Sequence, residues 1–118
     1  MEVEHKDLAG KQIEVGSFVV YAALWDRSAV LKYGIVSSLK ERKDAWRPQT
    51  RDYGPIPTVG IVSVDRGWEH QWELQNDGKE ITLGFVDRCL VVPTFAVPTD
   101  AMHLLTEEYA KRAQKKQS

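Results

Sequence analysis

The segment from residue 7 to residue 36 decides the fold, and it reads DLAGKQIEVGSFVVY at 7–21 and AVLKYGIV at 29–36. A polar turn at Val15-Gly16 leads into one β-forming run, and a second run has Gly34 at its centre. Tight bends between short strands need residues that tolerate unusual backbone angles, as glycine does. The pattern predicts a small, strongly bent antiparallel β-barrel.

Composition and charge narrow the class of protein. With 118 residues the chain forms one domain, and 28% of its residues are charged, which is ordinary for a soluble protein. The formal net charge of −1 provides no overall basic field that would attract nucleic acid. The single cysteine, Cys89, excludes an internal disulfide, and the N-terminus lacks an apolar signal segment. We therefore predict a cytoplasmic protein that does not associate with membranes.

Further β-forming runs continue the pattern through most of the chain. Residues 17–25 are apolar on both faces, residues 29–39 form a second strand, and residues 58–65 resume the β character. Asp77-Gly78 has the composition of a two-residue hairpin turn, and a last short strand ends at Pro93. These runs predict a barrel of five or six strands.

The C-terminal residues change from a strand period to a helical one. Pro98-Thr99-Asp100 is typical of a helix start, and one helical stripe then carries Met102, Leu105, Tyr109 and Ala113. We expect this helix to dock on the barrel or on a partner. The predicted organisation is therefore a β-barrel domain over residues 1–97, followed by a C-terminal helix and basic tail over residues 98–118.

A long polar segment separates the second and third predicted strands. Residues 40–57 read KERKDAWRPQTRDYGPIP, with three prolines and a glycine. Proline lacks a backbone donor and fixes its own φ angle, so this composition argues against a regular strand or a long helix. Long irregular loops in small domains are often functional. The sequence predicts an inserted functional loop at this point.

Turn glycines and β-forming residues together carry a resemblance to a known family. They stand at Asp7, Gly10, Ile13, Val15-Gly16, Val19-Val20-Tyr21, Leu31, Gly34 and Val36. With them the chain resembles small bacteriophage proteins that have an SH3-like barrel, and it is similar to KOW-type modules. The run RCLVVP at 88–93 is similar to the closing strand of those phage proteins. The resemblance implies a binding module that acts on nucleic acid, on nucleic-acid machinery or on a host protein, in the cytoplasm of the host cell.

The predicted loop contains the strongest candidates for a binding surface. Basic side chains interleaved with aromatic ones can neutralise phosphates and stack on bases, and an exposed tryptophan beside arginine is typical of a protein interface. Acidic neighbours dilute the charge of this segment, so both kinds of partner stay open. The candidate contact residues are Lys40, Arg42, Lys43, Trp46, Arg47, Arg51 and Tyr53 in the loop, with Arg66 and Trp68 beside it.

Enzymatic and metal chemistry find little support in the residue pattern. His70 with Glu69 or Glu73 could be drawn as an acid–base pair, but Glu69 and His70 point to opposite faces of a strand. The three histidines and Cys89 lack the close spacing of a zinc site, and there is no phosphate-binding glycine loop. We predict that the protein is not an enzyme and that it uses no cofactor and no metal.

These observations favour a non-enzymatic binding module of phage type. Its partner would be nucleic acid or a host protein of nucleic-acid metabolism or defence. An alternative from another class is a structural or assembly subunit, such as a homo-oligomer or a virion component, that packs through the C-terminal helix. A third hypothesis, an inhibitor of a host defence enzyme, uses the same loop and needs no nucleic acid.

Overall fold

The computed structural model describes residues 3–25, 28–48, 50–66 and 71–117. Within them, six strands precede one helix: β1 (Phe18–Trp25), β2 (Ser28–Arg47), β3 (Asp52–Arg66), β4 (Trp72–Leu74), β5 (Ile81–Leu83), β6 (Cys89–Val92) and α1 (Thr99–Gln117). Trp68, Glu69 and His70 lie outside the described residues, so the predictions made for them are not addressed by the structure.

All strand pairs of the sheet are antiparallel. The order across the sheet is β4-β3-β2-β1-β6, and β5 also pairs with β3. In the described part of the chain, no pairing joins β6 to β4 or β5, so the sheet is open. The prediction of a mainly β protein with an antiparallel sheet and a C-terminal helix is confirmed. Closure into a barrel is not confirmed.

The predicted hairpin at Asp77-Gly78 is wrong, although its backbone geometry is present. Asn76 and Asp77 have φ angles of 55° and 54°, and Gly78 has 79°. These residues form a kink between β4 and β5, which pair with β3 one after the other along the same edge. The turn residues set the local conformation, but β4 and β5 both pair with the edge of β3 that does not pair with β2. They therefore do not pair with each other.

The predicted irregular loop at 40–57 is also wrong, because β2 runs on to Arg47 and β3 begins at Asp52. The two strands form a long hairpin, and residues 39–58, in which they pair with no other described strand, are called the arm here. Pro48 lies in the turn, while Pro55 and Pro57 lie within β3. Since these two prolines are two residues apart, both ring nitrogens face one edge, and an unpaired edge is where a sheet tolerates proline.

Two apolar cores lie on opposite faces of the sheet. Val36 and Ile61 belong to the first core, whereas their chain neighbours Ile35 and Val62 belong to the second. Successive side chains of a strand point to opposite faces, which explains this division. The N-terminal segment contributes Ile13 to the first core, where its side chain is fully buried.

Helix α1 covers the second core. Ala101 and Leu105 are fully buried there, and Met102 and Tyr109 pack against the same cluster. The predicted apolar stripe is thus confirmed for Met102, Leu105 and Tyr109, while the side chain of Ala113 lies outside the described part. The helix docks on its own sheet. Within the described residues, no helix combines the length and the apolar character needed to cross a membrane.

Candidate binding surface

The outer half of the arm displays two aromatic side chains. Trp46 and Tyr53 are directly opposite each other in the β2–β3 register, with ring centroids 5.2 Å apart and planes at 61°. Edge-to-face contacts of this kind stabilise a cross-strand pair. The two side chains nevertheless remain 50% and 71% exposed. The arm therefore presents an ordered aromatic pair to solvent.

An ion pair closes the arm next to its turn. The Arg47 guanidinium donates to both carboxylate oxygens of Asp52, at 2.9 and 2.6 Å, and the Thr50 hydroxyl donates to the same carboxylate. The hydrogen bond from Arg47 lowers the pKa of Asp52 and raises the pKa of Arg47 itself. Gly54 leaves space for the guanidinium, since a Cβ there would lie 2.5 Å from Arg47 Cζ.

The base of the arm is tied to the sheet through Glu80. Its carboxylate accepts hydrogen bonds from Ser37 and Ser38, at 2.5 and 3.0 Å, and forms an ion pair with Lys40. Neighbouring strand residues usually point to opposite faces, but the register shift between Val36 and Ser38 is a bulge that lets both serines reach Glu80. Burial alone would raise the pKa of Glu80, but these partners outweigh it and hold the pKa at about 2.

A cleft of about 340 Å³ lies beside the exposed tryptophan. Trp46 and Ile56 of the arm line it together with Phe85 and Arg88, which follow β5 in the chain. Phe85 is 54% exposed, and the Arg88 guanidinium carbon lies 4.4 Å from the centre of its ring. Lys6, paired with Glu4 at 3.3 Å, also borders this space. The cleft combines aromatic surfaces with cations and is open to solvent.

The structure brings seven of the nine predicted site residues onto the arm or its turn. Trp46, Arg47 and Tyr53 lie close together near the turn, Lys40 lies at the base, and the exposed cations Arg42, Lys43 and Arg51 lie between or beyond them. Arg66 does not join this surface, because it ends β3 about 40 Å along the strand from Tyr53 and stacks on Trp72 at 5.5 Å. Trp68 lies outside the described residues.

Sequence reasoning missed the residues that complete this surface. Phe85 and Arg88 come from a separate part of the chain, and nothing in their local pattern indicates that they face the arm. Glu80 is likewise one acidic residue among many in the sequence. The spacing of residues 80–88 carries no signal that could have identified them, because the path of β5 along β3 positions them.

The charge of the arm is more balanced than its lysines and arginines suggest. Lys40 and Arg47 are engaged by Glu80 and Asp52. Of the other three cations, Arg42 and Lys43 lie between Glu41 and Asp44 in the chain, and Arg51 precedes Asp52. Among the described residues, no three His, Cys, Asp or Glu side chains are grouped so that they could hold a metal ion.

Comparisons with known proteins do not assign the chain to a family. No protein-family model, curated protein or solved structure matches the chain. The interpretation of the surface therefore depends on its own residues.

Proposed function

We propose that the protein is a non-enzymatic binding module whose contact surface is the face of the arm that carries Trp46 and Tyr53. The observation that carries the proposal is the exposed, cross-strand aromatic pair beside the Phe85 cleft. Tryptophan, tyrosine and arginine dominate the energetics of protein interfaces. Ion pairs at both ends of the arm hold this surface in shape before a partner arrives, which lowers the ordering cost of binding.

The charge distribution favours a protein partner. Binding to nucleic acid depends on several cations that neutralise phosphates. Two of the five cations of the arm are held by intramolecular ion pairs, and Glu41 and Asp44 balance two of the remaining three. A host protein of nucleic-acid metabolism or defence is the partner class that the sequence resemblance implies, and it accords with this balance.

A single-stranded nucleic acid is the second candidate, because one specific feature supports it. The cleft between Trp46 and Phe85 offers two exposed rings, and Arg88 and Lys6 border it. Bases of any sequence can stack on such rings while nearby cations contact the backbone. Nucleic-acid binding through this cleft would weaken steeply with added salt, which separates it from an interface dominated by aromatic packing.

The arm would bind through its face and not by adding a strand at its edge. Pro55 and Pro57 remove two donors from one edge of β3, and the bulge between Arg42 and Ala45 interrupts the ladder on β2. Prolines, bulges and charged residues are the devices that protect sheet edges from pairing with other chains. Recognition at the arm therefore depends on its side chains.

We also propose an SH3-like relationship and a phage origin, both on the sequence pattern alone. The alternative of an assembly subunit would need a surface other than the apolar stripe of α1, because Leu105 and its neighbours are already packed on the sheet. Cytoplasmic location is likewise an expectation from the sequence.

A capture experiment with matched variants tests the proposed function. Tagged wild-type protein, Trp46→Ala and Phe95→Ala are each incubated with a lysate of the encoding organism or its host, and captured proteins are quantified by mass spectrometry. Phe95 is the matched control, because it is 89% exposed and lies between β6 and α1, outside the arm. We expect one protein to be captured by wild type and Phe95→Ala but lost with Trp46→Ala.

Equal capture by all three proteins would refute the arm as the contact surface. A parallel titration with a fluorescent single-stranded DNA oligonucleotide addresses the second candidate. Salt-sensitive binding that disappears with Trp46→Ala would favour nucleic acid over a protein partner.

A further inference from the structure

The sheet forks at the end opposite the arm. Pairing between β2 and β3 stops at Tyr33 and Val64. Beyond that point β2 continues to pair with β1, while β3 pairs with β4. Lys32 and Asp65 would be the next pair in register, but the two strands separate there. A cleft of about 630 Å³ lies at the fork, lined by residues of both branches and by Pro98.

An ammonium group with a single carboxylate partner among the described residues lies at the branching point of this fork. The side chain of Lys32 is only 10% exposed, and its Nζ lies 3.6 Å from Asp65 Oδ2. That distance makes an ion pair but exceeds a normal hydrogen bond, and an ammonium has three donors to satisfy. Lys32 therefore has donor capacity for an incoming oxygen.

The walls of the fork cleft supply apolar surface. Trp72 packs edge-on against Tyr33, with ring centroids 5.6 Å apart. The guanidinium carbon of Arg66 lies over the Trp72 ring, 5.5 Å from its centre. On the β2 branch, Leu31 is 64% exposed and Val30 is 36% exposed. The volume falls in the range of small-molecule pockets, which combine apolar walls with a few polar groups.

We propose that the fork cleft binds a small organic anion. Its carboxylate or phosphate group would accept hydrogen bonds from Lys32, and its apolar body would lie between Leu31 and Trp72, with Arg66 at the rim. The described charged side chains that line the cleft are two cations and one carboxylate, so the site favours an anion. This site is separate from the arm and does not depend on the function proposed above.

Three related probes separate charge recognition from simple partition into an apolar space. Naphthoate, naphthyl phosphate and neutral naphthalenemethanol share one ring system and differ in the head group. Binding is measured by isothermal titration calorimetry and is located by amide NMR shifts. We expect the anions to shift the amides of Leu31, Lys32 and Asp65, and to bind at least about tenfold more tightly than the neutral alcohol. The stronger of the two anions identifies the head group.

Two variants and one control make the test specific. Lys32→Met removes the ammonium and should weaken anion binding at least about tenfold while leaving the alcohol unaffected. Leu31→Asp provides a second variant that does not alter a buried residue: it adds a repelling carboxylate at the exposed wall. Lys79→Met removes an exposed lysine elsewhere and should change nothing. Absence of anion binding, equal binding of the alcohol, or binding that Leu31→Asp leaves unchanged would each overturn the proposal.

Discussion

Replacement of Asp7 by alanine should strongly destabilise the fold, because its carboxylate anchors the N-terminal segment to the sheet. The Asp7 side chain is buried, with the residue 5% exposed. One carboxylate oxygen accepts the amides of Ala9 and Lys11, at 3.0 and 2.8 Å, and the other accepts the amide of Val91 at 2.7 Å. The carboxylate thus stabilises the turn that follows Asp7 and links that turn to β6.

The magnitude follows from these three hydrogen bonds. A hydrogen bond to a charged group contributes about 1.5–3 kcal/mol net, and a buried donor left without a partner adds a desolvation penalty. The amides of Ala9 and Lys11 belong to exposed residues and can return to water, whereas the amide of Val91 belongs to a half-buried strand residue. We therefore expect Asp7→Ala to lower the free energy of unfolding by about 3–5 kcal/mol.

The assay is urea unfolding followed by circular dichroism, together with calorimetry. For a domain of this size the expected loss corresponds to a fall in Tm of about 10–20 °C. Glu14→Ala is the matched control, since it removes an exposed acid from the same segment and should change stability by less than about 0.5 kcal/mol. A loss below about 1 kcal/mol for Asp7→Ala would show that water replaces the carboxylate and that the anchoring role is wrong.

Three further changes test other contacts of the fold. The pKa of Glu80 is held at about 2, below its ordinary 4.5, so the stability that its carboxylate contributes is complete above pH 4.5 and is lost as the pH falls towards 2. Glu80→Gln should lower the free energy of unfolding by about 1 kcal/mol at neutral pH, after a discount for solvent screening. Between pH 4.5 and 2, the free energy of unfolding measured in urea should depend less on pH in the variant than in the wild type. Gly60→Ala should displace the Glu80 carboxylate and lower Tm, whereas Gly84→Ala, with open space around its Cβ, should not; equal Tm values would contradict this packing. Leu105→Ala should cost about 2–5 kcal/mol in urea unfolding, because the side chain is fully buried under α1, and a cost under about 1 kcal/mol would mean that the helix is not docked.

Local sequence signals predicted the strand-forming residues better than their pairing. The alternation around Val19 and Val36 correctly indicated strands, and Pro98 correctly marked the start of the helix. Pro55 and Pro57 suggested a loop, since proline removes a ladder donor wherever that donor is needed. Whether it is needed depends on which edge the nitrogen faces, and that depends on tertiary pairing. The same limitation applies to Asn76 and its neighbours, whose positive φ angles form a kink.

The candidate surface was accessible from the sequence only in part. Trp46 and Tyr53 were identified because aromatic side chains interleaved with basic ones are typical of nucleic-acid contacts and of protein interfaces. Phe85 and Glu80 could not be identified, since they reach the arm through the path of β5 along the edge of β3. The sequence did not single out Lys32, because it lies within a largely apolar strand. Its position is informative only in the structure, where the pairing of β2 with β3 stops one residue before it.

Site-specific photo-crosslinking gives the most direct test of the claim that the arm contacts the partner. A photoreactive phenylalanine analogue replaces Tyr53 in one protein and Phe95 in another, and both are irradiated in the lysate. Both positions are aromatic and largely exposed, at 71% and 89%, so they differ mainly in location. We predict a covalent adduct with one partner from position 53 and none from position 95. An adduct from position 95 alone would contradict the account.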